Sequence, residues 1–393
     1  MKRYILISTI LFCSLFLLYN SCIESYNPNL KGARFDKQLV VEGRITTKAE
    51  PYQVKLSRTV SVDTTYYFDP VENAEIRIHE VGGSVAQLSE IKPGIYQTTD
   101  KNFIGKAGHT YSLEIITNDG KEYESNDITI IPAPEIDKVY FEELEDYIYI
   151  NDIKFPIKKL KILLDSSDPS NQCKHLKWEY QEGWQHNIEA ELNMDDAKRY
   201  CWKEDISKEI LIGTSENLST SRILNKEIKT ISSKDTRLRR NYGIFIKQYS
   251  LSKNTYEYWK KLQEINQNSG SIHDKMPYSV YGNITCCSTS QKALGYFEAS
   301  DIKEKFFKIK RTDHNLRAEY PFKSCDYDTL AKEADNNPYN DASVIHYQHE
   351  RGEAFILGIL KQEMGRESWI VSQSITCTDC RETANSKKPD FWQ

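Results

Sequence analysis

From Gln38 onward the chain is written in short stretches that alternate apolar and polar residues and break at turn residues. That rhythm restricts it to sheets. Side chains on a strand point to opposite faces with a period of two, so a half-buried strand alternates. Tyr52–Leu56 (YQVKL) places Tyr52, Val54 and Leu56 on one face. Ala74–His79 (AEIRIH) does the same through Ile76 and Ile78, and Gly94–Thr98 (GIYQT) follows a Pro-Gly turn. Thr110–Thr117 (TYSLEIIT) runs into Asn118-Asp119-Gly120, a hairpin signal, and returns from Lys121. With Gln38–Thr47 before them and no helix between them, these strands predict an immunoglobulin-like or transthyretin-like β-sandwich over residues 37–131.

Ile131-Pro132-Ala133-Pro134 then reads as a stiff connector, because alternate prolines disfavour helix and central strand. Residues 136–393 form a second, larger β-rich domain in this reading. Its clearest strands are Lys159–Leu164, Leu176–Gln181, Tyr242–Gln248, Lys305–Lys310, Ala354–Leu360 and Trp369–Ser372. One amphipathic helix is expected near 253–266. It carries a stripe of Tyr258, Leu262 and Ile265 with Trp259 beside it, Asn254 and Glu257 spaced as a capping box, and Gly270 as a far cap. The stripe is expected to face the core.

The N-terminal end carries a different message. Lys2 and Arg3 precede an apolar run from Ile5 to Leu18. A bilayer-spanning helix needs about 20 apolar residues, so this run is the length of a signal-peptide core. It ends in Leu18-Tyr19-Asn20-Ser21-Cys22, which resembles a relaxed bacterial lipobox. Residues 1–21 are therefore expected to be a lipoprotein signal peptide. Cys22 is expected to carry the diacylglyceryl anchor, and residues 22–36 to form a tether. One acyl chain holds a membrane weakly and two or more hold it firmly.

Composition excludes one partner class. The formal net charge is −5, which offers no electrostatic case for nucleic acid. The seven remaining mature cysteines, Cys173, Cys201, Cys286, Cys287, Cys325, Cys377 and Cys380, are disulfide candidates in an exported chain. Cys377 or Cys380 is expected to pair with Cys325 or one of the 286–287 doublet, and Cys173 with Cys201. Zinc needs four ligands and a second CxxC is missing, so the pair at 377 and 380 reads as structural.

No catalytic motif stands out. G-x-S-x-G, H-E-x-x-H and G-x-x-x-x-G-K are all absent from the sequence. His346 and His349 alternate onto opposite faces of a strand-like segment, an unfavourable arrangement for a shared metal. Asp326, Asp328, Asp335 and Asp341 lack the order of a calcium loop and read as a solvated loop. Glu142, Glu143, Glu145 and Asp146 read as an exposed acidic run. No cofactor or metal is called for.

Several segments carry a family likeness. Gln248–Ser252 (QYSLS) leads into Tyr256–Lys260 (YEYWK), followed by Gly282-Asn283-Ile284, Leu294-Gly295-Tyr296-Phe297 and a tail of Cys377–Arg381 (CTDCR) and Lys388–Trp392 (KPDFW). This resembles the lipoproteins of Bacteroidota catalogued as domain of unknown function 4249, over nearly the whole chain after Cys22. The resemblance implies an outer-membrane lipoprotein beside a TonB-dependent transporter, in an accessory or ligand-capturing role. It assigns no chemistry, so only Cys22 and the tail cysteines carry over. Two other readings compete with it. One is an envelope hydrolase, which would need a cleft where His346 or His349 meets a carboxylate; the other is a purely structural or adhesive sandwich.

Overall fold

The computed structural model describes residues 37–60, 68–187, 200–268, 279–317, 328–331, 355–361, 367–372, 375–377 and 379–392. Cys22, Cys325, Gly270, His346, His349, Asp326, Asp335 and Asp341 lie outside them, as do the signal peptide and tether. The described chain is mainly β.

The first nine strands are β1 (Leu39–Thr46), β2 (Gln53–Arg58), β3 (Asp69–Pro70), β4 (Glu75–Glu80), β5 (Val85–Lys92), β6 (Ile95–Thr98), β7 (Thr110–Ile116), β8 (Glu122–Ser125) and β9 (Ile128–Thr129). Six of them, all but β3, β5 and β9, follow the alternating stretches. Then come β10 (Ile136–Ile150), β11 (Ile153–Asp168), β12 (His175–Asn187), β13 (Tyr200–Ile206), β14 (Leu211–Thr214), β15 (Ser221–Ser232) and β16 (Tyr242–Leu251). Helix α1 (Lys253–Asn268) is followed by β17 (Tyr281–Cys286), β18 (Lys292–Ser300) and β19 (Ile302–Ile309). Beyond these lie β20 (Asp328–Ala331), β21 (Phe355–Lys361) and β22 (Glu367–Ser372), a small antiparallel sheet in the order β20-β22-β21. Asp328 thus opens a strand rather than sitting in a loop.

The expected N-terminal sandwich is corrected to a closed, barrel-like sheet of nine strands. The order runs β1-β18-β17-β8-β7-β4-β5-β6-β2, and β2 pairs back onto β1. Two of those strands, β17 and β18, come from the far side of the proline connector, so the boundary at 131–136 does not separate the two sheet systems. Closure requires them: β18 runs parallel to β1, with Val41 opposite Gly295 and Arg44 opposite Glu298. A sandwich has open edges, whereas a closed ring leaves none. The interior is filled by the alternating set, including Val41, Val54, Leu56, Ile76, Ile78, Tyr111, Leu113, Ile115 and Phe297.

The seam between β17 and β18 explains two short motifs. Their pairing register shifts between Tyr281 and Thr285. Across that gap the Asn283 side chain replaces the ladder, donating to the Phe297 carbonyl and accepting from the Phe297 N–H, both at 3.0 Å. Gly295 has φ +82°, and a Cβ there would lie 2.0 Å from the Val41 carbonyl oxygen. Only glycine accepts both that dihedral and that approach.

The two-layer arrangement appears instead in the second unit. Strands β10-β11-β15 form one sheet and β13-β12-β16-β19 the other, with β14 also pairing β12. Their facing residues share one core: Leu160, Ile162 and Leu164 from the first sheet meet Trp178, Tyr180, Tyr242, Ile244 and Ile246 from the second. The acidic run lies on β10, where Glu142 opposes Lys161, Glu145 opposes Lys158, and Asp146 pairs with Lys159. Beyond Lys159 the β10–β11 ribbon continues without β15 to a turn at Asn151-Asp152, both at positive φ as a two-residue I′ turn requires. Tyr147, Tyr149, Ile150, Ile153 and Phe155 are exposed around its tip.

The tail is held by a disulfide between Cys201 and Cys380. Cys377 is also disulfide-bonded, and Cys173, Cys286 and Cys287 are free thiols. The expected Cys173–Cys201 bridge is therefore corrected. Cys173 precedes the start of β12, while Cys201 pairs opposite His186 near its other end. Thirteen strand residues at about 3.3 Å each separate them by roughly 40 Å. Downstream, Trp392 packs edge-on against Trp202, and Phe391 stacks on Phe245. Gly183 and Gly243 leave the space that Pro389, Phe391 and Trp392 fill.

Candidate functional site

The site lies where helix α1 crosses the outer face of the barrel. Period-two alternation turns Val41 and Ile45 of β1 into the barrel and leaves Val40, Glu42 and Arg44 outside. On β18, Leu294, Tyr296 and Glu298 share the corresponding outer face. Helix α1 is anchored by Ser252, whose hydroxyl accepts from the Thr255 N–H at 3.2 Å. The cap is thus Ser252, one step before the helix, rather than the Asn254 box. The Thr255 hydroxyl lies 3.3 Å from that of Tyr296, and Tyr258 stacks on Tyr296 with ring centroids 4.6 Å apart.

Between helix and barrel is a cleft of about 640 Å³. Its walls include Val40, Leu294, Tyr258, Trp259, Leu262 and Ile265. The helix stripe expected to face the core packs on the barrel only through Tyr258; Leu262 and Ile265 remain half-buried along the cleft. The volume falls in the range of small-molecule sites.

Beneath the cleft lies a quartet of charges drawn from both units, two of them buried. The Arg44 guanidinium donates to Glu298 at 3.0 Å and, in bidentate fashion, to Glu179 at 2.7 and 3.2 Å. The Lys177 ammonium lies 3.1 Å from Glu298 and 3.4 Å from Glu179. Lys177 and Glu298 are almost wholly buried, at 4% and 3% side-chain exposure. The indole N–H of Trp259 donates to Glu298, and the Lys177 ammonium sits 3.6 Å from the Trp259 ring centroid. Arg44 also stacks on Tyr249 at 4.3 Å. Trp259 separates this cleft from a second one of about 310 Å³, lined by Lys177, Glu179, Tyr180 and Ile206.

Burial alone would raise both carboxyls. The neighbouring cations override it: Lys177 and Arg44 hold Glu298 below its ordinary value, and Arg44 and Lys177 take Glu179 down to about 2. Burial and the adjacent Arg44 pull the Lys177 ammonium down. The quartet is two cations and two carboxylates, each contacting both charges of opposite sign. Bidentate and charge-assisted hydrogen bonds of this kind fix geometry as well as charge.

The sequence reading did not find these four residues. Arg44 and Glu298 lie 254 positions apart, and nothing local marks either one. A signal did exist in Leu176–Gln181: Lys177 and Glu179 fall on one face of a strand whose other face is apolar. The expected candidates lie elsewhere. Cys286 is buried and Cys287 exposed, at the hairpin between β17 and β18. Burial would raise the Cys286 thiol, but hydrogen bonds from Ser288 and Thr289 bring it down to about 7. Among the described residues, no group of three His, Cys, Asp or Glu side chains is placed to hold a metal ion.

A family model described as "Domain of unknown function (DUF4249)" matches residues 23–305. The chain belongs to this family. The stretch matched to DUF4249 contains the barrel, helix α1 and all four charges of the quartet. It stops short of the tail that carries Cys377, Cys380 and Trp392, so the family likeness shown for the chain is narrower than its tail motifs suggested. No curated protein matches the chain.

Proposed function

We propose that this DUF4249 protein is a lipid-anchored, ligand-holding accessory protein of the bacterial outer membrane that works beside a TonB-dependent transporter. The observation that carries the ligand-holding part is the cleft between helix α1 and the barrel wall. It is apolar and aromatic on its sides and has fixed polar groups at its base, the usual make-up of a binding site. The carboxylates there are held ionised and saturated by cations, which suits them to positioning rather than to proton transfer. The anchor rests on the basic-apolar-Cys22 order of the N-terminal segment. The Cys201–Cys380 disulfide fits an oxidising compartment.

The test is recovery of the natively lipidated protein from membranes in mild detergent, with mass spectrometry of what accompanies it. A β-barrel transporter in stoichiometric amount is expected; recovery of the protein alone counts against the partnership. Cys22→Ala should move the protein to the soluble fraction. Continued sedimentation with membranes overturns the anchor.

A further inference from the structure

We infer that the cleft takes an uncharged, largely apolar molecule that presents a hydrogen-bond acceptor, such as a ketone, ether or hydroxyl oxygen, to Arg44. This rests on the reading of the cleft as a ligand site and adds the class of ligand.

Three ionised groups line the cleft: Glu42, Arg44 and Glu298. Each has counter-charges beside it. Glu42 meets Lys55 at 3.6 Å, and Arg44 and Glu298 meet Glu179 and Lys177 as described. Together these are three cations and three carboxylates, and the local charge is zero. A charged ligand would lose its water without gaining an unmatched partner, and burying an uncompensated charge is costly. An uncharged one meets no such penalty.

The remaining donor capacity points the same way. A guanidinium has five N–H donors, and Arg44 spends three on Glu298 and Glu179. Glu298, by contrast, already accepts from Arg44, Lys177 and Trp259. At the quartet the cleft base therefore offers Arg44 donors, while the acceptor oxygens left open among the lining carboxylates belong to the exposed Glu42. An uncharged acceptor oxygen can take the Arg44 donors without disturbing the quartet. The walls of Val40, Leu262, Ile265 and Leu294 supply the apolar surface for the rest of the molecule.

Two fluorescent probes separate the outcomes. Prodan is a neutral naphthalene with a ketone oxygen; 1-anilinonaphthalene-8-sulfonate is a naphthalene of similar size carrying a fixed negative charge. The probes are titrated into the full chain carrying Cys22→Ser, purified without lipid. Prodan should bind saturably at one per chain and at least tenfold tighter than the sulfonate. Ile265→Glu, on the half-exposed face of α1, should weaken Prodan binding at least tenfold while the circular dichroism melt stays in place; Val40→Glu provides the same check from the barrel side. If the sulfonate binds as tightly as Prodan and both respond to these substitutions, the cleft stands as a site and the uncharged class is wrong. If Prodan fails to bind, or binds indifferently to both substitutions, the cleft is not the site and the inference falls with it.

Discussion

Glu179 shows how much a single side chain in the quartet depends on its neighbours. Its ordinary value of 4.5 falls to about 2 because Arg44 and Lys177 outweigh the cost of its burial. A carboxyl depressed on folding stabilises the protein above its unfolded value, and that stabilisation fades as pH falls from about 4.5 toward about 2. Glu179 remains 37% exposed, so solvent screens part of the effect. Glu179→Gln should therefore flatten the loss of stability between pH 4.5 and 2, read as urea midpoints at a series of pH values. An unchanged slope would mean that Arg44 does not hold this carboxylate in solution. Residue chemistry was only partly legible in advance. Turn glycines and strand faces follow from local sterics, which a sequence displays. The quartet follows from which strands become neighbours, which it does not.

At the scale of elements, the parallel pairing of β1 with β18 is a demanding contact. Gly295 approaches the Val41 carbonyl so closely that any side chain must push the two strands apart. Gly295→Ala should cost on the order of 3 kcal/mol or more, since it combines a left-handed dihedral with a backbone clash. A thermal melt checks this; an unshifted midpoint would show that the seam can open without penalty. The strands themselves were well marked. The expected Thr110–Thr117 became Thr110–Ile116, and the helix expected over 253–266 became Lys253–Asn268. Those missed, such as β10 and β15, are rich in charged residues, because an edge or a half-solvated face relaxes the alternation that identifies a strand. The acidic residues of β10 looked like a surface run and are one side of a ribbon whose other side is lysine.

For the whole molecule, closure is the organising fact. A barrel whose first strand pairs with residues 294–300 has no finished core until β17 and β18 arrive. Residues 37–131, taken as an independent domain from the proline connector, lack Ile284, Phe297 and Ala299 of that core. Expressed alone, this fragment should show no cooperative melt and poor amide dispersion by NMR, whereas the fragment 37–317, which keeps β17 and β18, should show both. A cooperatively melting 37–131 fragment would mean that seven strands of the ring can make a stable sheet without the two that close it. The connector misled because its prolines do mark a change of direction. Composition shows where a chain turns; it does not show that the chain later comes back.

That return has a mechanical side. Any pull transmitted through the residues before Lys37 enters the fold at the head of β1. There β1 is flanked by β2, antiparallel over Leu39–Gly43, and by β18, parallel over Val40–Thr46. A force along the strand meets both ladders in shear, so their hydrogen bonds resist together instead of parting one after another. Tension on the N-terminal end is thereby carried by a clamp that the chain supplies from residues 294–300. The cleft floor, built on the same two strands through Arg44 and Glu298, stands directly in the path of that tension.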